Sequence, residues 1–240
     1  MRDRLVLLPG WSFGAAALQP LQEALLSRAR HLRVDLAELP QRSDADAWLD
    51  ELDARLPTGA WLAGWSLGGM LATQLAARRG DACPGLITFA SNACFARRAD
   101  WPTAMPAPVF ETFCEAFALD AEQTLKRFSL LASRGAFDPR TLARQLQVTQ
   151  PRIAVDALAA GLRLLADLDG RLALRGYAGP QLHLFGRQDA LVPAAAAEAL
   201  LAWLPDLEVE TFDASHGLPL EYPDRVAEAL LRFIDGGEHD

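Results

Sequence analysis

Gly64-Trp65-Ser66-Leu67-Gly68, followed by Gly69, sets a serine between glycines in the spacing G-x-S-x-G. Glycine at 64 and 68 would let the chain turn so tightly that Ser66 projects its hydroxyl from a strained backbone. A free hydroxyl is a poor nucleophile at neutral pH, so a neutral imidazole has to accept its proton. The chain contains four histidines. His31 opens an expected strand, His183 lies inside one and His239 is in the tail; all three read as structural or solvated. His216 differs, because it stands in Phe-Asp-Ala-Ser-His-Gly-Leu, a short loop before the last expected helix. It is the candidate base. An imidazole in that role needs a carboxylate to hold its tautomer and stabilise its charged form. Asp189, in the loop after a strand, gives the order Ser, Asp, His along the chain. Asp213 is the rival; it shares a strand end with His216 and reads rather as a turn former. Tetrahedral chemistry further requires N–H donors for the developing oxyanion, each worth roughly 3–4 kcal/mol. The amide of Leu67 is one candidate and the amide of Trp11, freed to turn inward by Gly10, is the other.

These groups are far apart in the chain, so a scaffold must gather them. Short apolar runs alternate with longer amphipathic stretches, the pattern of a parallel sheet covered by helices. Strands are expected at Leu5–Leu8, His31–Asp35, Ala60–Ala63 and Gly85–Ala90. Helices are expected at Leu18–Ser27, Ala45–Leu56 and Leu67–Arg78. From about Ser91 to Ala173 only helical pattern occurs, broken by prolines and glycines. Alternation resumes with the strand Gln181–Phe185, the helix Ala194–Leu204, the strand Glu208–Phe212 and the helix Asp224–Ile234. The reading is one α/β domain over 1–240, with a core of 1–90 and 174–240 and an all-helical cap of about 91–173. Such a cap would sit over the carboxyl ends of the strands, where open α/β sheets bind ligands.

Bulk properties narrow the classes. A net charge of −8 argues against nucleic acid and against an anionic membrane surface. The apolar run before Pro9 is too short for a signal-peptide core, and no stretch approaches the roughly 20 residues of a membrane helix. Cys83, Cys94 and Cys114 have no metal-type spacing and suit reduced thiols in a core. No nucleotide-binding glycine loop occurs either. The expectation is a cytoplasmic monomer with no metal and no cofactor.

Taken together, Leu-Val-Leu-Leu-Pro-Gly-Trp, Gly-Trp-Ser-Leu-Gly-Gly, Ser-Asn-Ala-Cys-Phe-Ala with Trp101-Pro102, and Asp-Ala-Leu-Val-Pro resemble the pimeloyl-[acyl-carrier protein] methyl ester esterases. The likeness runs over nearly the whole chain. It implies the α/β-hydrolase fold: a mostly parallel central sheet flanked by helices, with the helical cap inserted after the fourth strand. It implies a serine carboxylesterase of biotin synthesis that removes the methyl ester from pimeloyl on its carrier through an acyl-enzyme on Ser66. It places Trp11, Ser66, Leu67 and His216 at substrate-contacting positions, and the cap run Phe128, Ser129, Leu130, Leu131 and Ala132 along the pimeloyl chain. Pro9 stands where the family often has histidine, and the sequence starts almost at the first expected strand, where the family usually has an N-terminal hairpin.

The cap is also locally basic. Between Gln123 and Arg152 stand Lys126, Arg127, Arg134, Arg140, Arg144 and Arg152 against Asp138 alone. Acyl-carrier proteins are acidic, and opposite charge speeds encounter. The resemblance matches Arg127, Arg140 and Arg144 to basic residues that dock the carrier. Competing readings are a general short-chain carboxylesterase, a menaquinone-pathway lyase on the same scaffold, and a non-catalytic binding module.

Overall fold

The computed structural model describes residues 3–236. Its centre is a six-stranded sheet: β1 (Arg4–Leu8), β2 (Arg33–Leu36), β3 (Trp61–Trp65), β4 (Leu86–Phe89), β5 (Gln181–Gly186) and β6 (Glu208–Phe212). All pairings are parallel and the order is β2-β1-β3-β4-β5-β6. Leu5, Val6, Leu7 and Leu8 are wholly inaccessible, as expected where helices cover both faces of a parallel sheet. β6 lies at an edge, and its Glu208, Glu210 and Thr211 are partly exposed, which discourages pairing with another chain.

The helices are α1 (Gln19–Arg28), α2 (Ala47–Arg55), α3 (Leu67–Arg79), α4 (Ala107–Leu119), α5 (Ala121–Ala132) and α6 (Pro139–Val148). They continue with α7 (Val155–Asp167), α8 (Arg171–Gly176), α9 (Ala195–Trp203), α10 (Leu218–Glu221) and α11 (Pro223–Gly236). α1 packs on α11, whose Val226, Leu230 and Ile234 form a buried stripe at helical spacing. Among the described residues no helix is long and apolar enough to cross a membrane.

Between β4 and β5 the chain adds no strand to the sheet, only the isolated bridges Ala96–Met105 and Arg98–Trp101. Helices α4 to α8 lie in this stretch, the last of them packed against α3. Two of them start on acidic caps: Asp120 accepts from the Gln123 amide at 2.9 Å and Asp138 from the Thr141 amide at 3.1 Å. Pro139 follows the second cap, where its missing N–H costs nothing.

The order reverses between β1 and β3. β2 goes to one side of β1 and β3 returns on the other, so the ends of β1 and β3 meet at a switch point, the usual crevice for ligands. Register pairs Leu8 with Gly64, which brings the turn after β1 beside the turn after β3.

Two expectations need adjustment. The second strand runs over Arg33–Leu36 rather than from His31; His31 is exposed and 3.4 Å from Asp235. Cys83 and Cys94 are core residues as expected, but Cys114 on α4 is only half-buried. His239 lies outside the described residues.

Candidate active site

β3 ends at Trp65, α3 starts at Leu67, and Ser66 alone makes the turn, with φ 55° and ψ −119°. A non-glycine residue with positive φ is strained, and strain of this kind persists only where the surroundings enforce it. Here they do. The Ser66 amide donates to the Phe89 carbonyl at 3.0 Å, and the Ser91 hydroxyl donates to the Ser66 carbonyl at 2.9 Å. A Cβ on Gly64 would lie 2.2 Å from the Gly68 oxygen, and one on Gly68 would lie 2.4 Å from the Pro9 oxygen. The close approach of three backbone segments therefore demands both glycines. Ser66 is 5% exposed.

His216 follows β6 and Asp189 follows β5, two neighbouring strands, so their side chains meet above the sheet. His216 Nδ1 is 2.8 Å from Asp189 Oδ2, and each side chain is 1% exposed. The other carboxylate oxygen of Asp189 accepts from the amides of Leu191 at 2.7 Å and Val192 at 2.9 Å. Three hydrogen bonds thus compensate a buried charge that would otherwise be costly. Asp213 is exposed, and its Oδ1 lies 3.4 Å from the Gln188 amide nitrogen instead. His216 Nε2 is buried and has no hydrogen-bond partner among the described residues, the Ser66 hydroxyl included. The Trp65 indole donates to the His216 carbonyl at 2.8 Å, tying the His216 loop to the strand that runs into Ser66.

Neither the Leu67 nor the Trp11 amide donates to a protein acceptor among the described residues. Leu67 opens a helix, where first-turn amides lack partners. Trp11 sits in the turn after β1, which is pinned from both sides: Phe13 N–H bonds Gly10 at 3.2 Å, and the Gln150 amide donates to Ser12 Oγ at 3.1 Å. The Trp11 indole donates to the Leu158 carbonyl at 2.9 Å and meets Phe128 edge-on at a centroid distance of 4.9 Å. It fits only because residue 161 on α7 is glycine; a Cβ there would lie 2.6 Å from the ring.

Beside Trp11 and Leu191 opens a cavity of about 250 Å³. Its walls are mostly apolar side chains, chiefly Phe95, Met105, Phe110, Phe113, Phe128 and Leu131, with Thr112 and Thr124, and Arg127 is the sole charged residue on them among the described residues. Of the run 128–132, Phe128 and Leu131 line it; Leu130 is 58% exposed, and Ser129 and Ala132 are buried without lining it. A helix turns about 100° per residue, so five consecutive side chains cannot share one wall. Arg140 and Arg144 are exposed on α6, and like Arg127 they have no carboxylate within 4.0 Å among the described residues.

Three supporting residues escaped the sequence reading: Ser91, Trp65 and Glu221. Glu221 closes α10, a single turn too short to show periodicity, and its carboxylate accepts from Ser215 beside the histidine.

A family model for the alpha/beta hydrolase family matches residues 5–229. A pimeloyl-[acyl-carrier protein] methyl ester esterase from Aromatoleum aromaticum is 36% identical over 98% of this chain and 99% of its own length. The chain belongs to that family of alpha/beta hydrolases. It is also 35% identical, over 98% of its length, to the biotin biosynthesis bifunctional protein BioHC of Cellvibrio japonicus, of which it spans about half, 48%. Among solved structures, an esterase from Exiguobacterium antarcticum superposes with a TM-score of 0.85 over 97% of this chain and 92% of that one. At 19% identity that likeness speaks for the fold alone.

Proposed function

We propose that this alpha/beta hydrolase is a serine esterase that converts pimeloyl-[acyl-carrier protein] methyl ester to pimeloyl-[acyl-carrier protein] and methanol, in the cytoplasm and in the service of biotin synthesis. The reading rests on the buried His216–Asp189 pair, tied through the Trp65 indole to the strand that runs into the strained Ser66 turn, with an apolar cavity opening at the neighbouring Trp11 and Leu191. Relatives of matching length bear the name of this activity.

In the proposed reaction the Ser66 oxygen attacks the ester carbonyl while His216 Nε2 takes its proton. Negative charge gathers on the carbonyl oxygen, which the amides of Leu67 and Trp11 receive. The tetrahedral centre collapses, the bond to methoxide breaks, and the imidazolium returns its proton so that methanol leaves. Water then repeats the sequence on the acyl-enzyme and frees the carboxylate. Asp189 stays ionised throughout and holds the ring. Helices α4 to α7 act as the cap, with Phe128 and Leu131 against the acyl chain and Arg127, Arg140 and Arg144 facing the carrier.

A lyase acting on a substrate with several carboxylates would want several cations around it. The cavity offers Arg127 alone, which favours an apolar acyl chain.

The test is methanol release from the carrier-bound ester by purified protein, with Ser66→Ala as control. Wild type should release methanol and the variant none. Hydrolysis of small esters without action on the carrier-bound one would make this a general carboxylesterase. A chain that no fluorophosphonate labels would be a binding module.

A further inference from the structure

Glu221 touches both the loop of the proposed base and the helical insert. Its Oε2 accepts from the Ser215 amide at 3.0 Å and from the Ser215 hydroxyl at 2.8 Å. The Ser215 hydroxyl oxygen in turn accepts from the Gly217 amide at 3.1 Å. One carboxylate oxygen therefore holds, directly or through one hydroxyl, the amides of the two residues that flank His216, Ser215 and Gly217. The other oxygen, Oε1, accepts from the Phe137 amide at 3.1 Å, in the turn between α5 and α6 of the insert.

That turn leans on the acid loop as well. Gly135 has φ +92°, and a Cβ there would lie 2.3 Å from the carbonyl oxygen of Gln188, next to Asp189. On the α6 side, Leu142 closes over Gly217, where an added Cβ would meet it at 2.7 Å. The turn thus rests on the loops that carry both members of the His216–Asp189 pair.

Resting on the esterase reading above, we infer that Glu221 is a positioning residue that makes the alignment of His216 depend on the seating of the α5–α6 turn. The carboxylate is suited to this because all its contacts ask it to accept. An amide in its place has one oxygen and one NH₂, so on one side a donor faces a donor. Glu221→Gln keeps the shape and breaks one arm; Glu221→Ala breaks both.

The experiment measures kcat and KM on a short p-nitrophenyl ester, with thermal unfolding of each variant alongside. Glu221→Gln should lower kcat by about 10- to 100-fold with KM within about twofold, the signature of a misaligned base. Gly135→Ala, which pushes the turn off Gln188, should lower kcat in the wild-type background and add little in the Glu221→Gln background. A folded Glu221→Gln protein with full kcat, or one changed in KM alone, overturns the positioning role. Additive losses in the double variant overturn the link to the insert. If Glu221→Ala fails to fold, the isosteric variant decides. Retained turnover in Ser66→Ala would instead sink the esterase reading itself, so the two failures are distinguishable.

Discussion

His216 Nδ1 and Asp189 Oδ2 lie 2.8 Å apart with both side chains sealed from water, while Asp213, nearer in sequence, turns to Gln188. Position in the sheet explains the choice. β5 and β6 are adjacent and parallel, so the loops leaving their carboxyl ends face each other.

Replacing Asp189 by asparagine tests that pairing. The Leu191 and Val192 amides can keep an oxygen acceptor, so the fold should survive. The imidazole loses its charged partner and its tautomer, and kcat should fall by about 10³-fold or more with little change in melting temperature. Steady-state kinetics with a small ester checks this. If Asp213→Asn gives the large loss and Asp189→Asn does not, the acid has been misassigned.

The exposed arginines on α6 allow a separate test. Reversing charge at Arg140 and Arg144 should cut kcat/KM for a carrier-bound ester by about tenfold or more at low salt, an effect that fades as salt rises. Turnover of a small soluble ester should stay within about twofold. Equal losses on both substrates would show that the arginines serve the fold and not the carrier.

Burial of His183 predicts an acid sensitivity. Its Nδ1 is 2.7 Å from Thr88 Oγ1, its Nε2 has no partner among the described residues, and desolvation pushes its pKa from 6.5 down to about 3. Between those values the unfolded chain binds a proton that the native state refuses, so stability falls as pH drops from 6.5 toward 3 and is unaffected above 6.5. The slope approaches ~1.4 kcal/mol per pH unit. Urea unfolding near pH 7 and near pH 5 should show a smaller difference for His183→Gln than for wild type; equal differences would mean that other groups carry the acid response.

Much of this architecture was legible in the residues. Leu5–Leu8 and Glu208–Phe212 announce themselves as strands because runs of apolar or alternating residues end at turn formers. The Ser66 turn was legible because glycines at 64 and 68 admit few alternatives. Contacts between distant segments were not. That Trp65 would reach the His216 carbonyl, or that Ser91 would brace the Ser66 carbonyl, depends on strand order, which no local pattern encodes. Glu221 was missed for the same reason, since its partners lie on α10's own loop and on an insert turn 84 positions away. Arginines on the insert were legible as charge; that Arg127 would border the cavity while Arg140 and Arg144 stand apart from it was not.

The glycine at 161 has a wider consequence. A hydrogen there is all that lets the Trp11 ring lie back against α7. Any larger group would have to displace the indole, which borders the cavity, and would press on the turn whose amide is the proposed oxyanion donor. The shape of the chamber and the footing of the Trp11 turn thus both hang on a single hydrogen atom of a neighbouring helix.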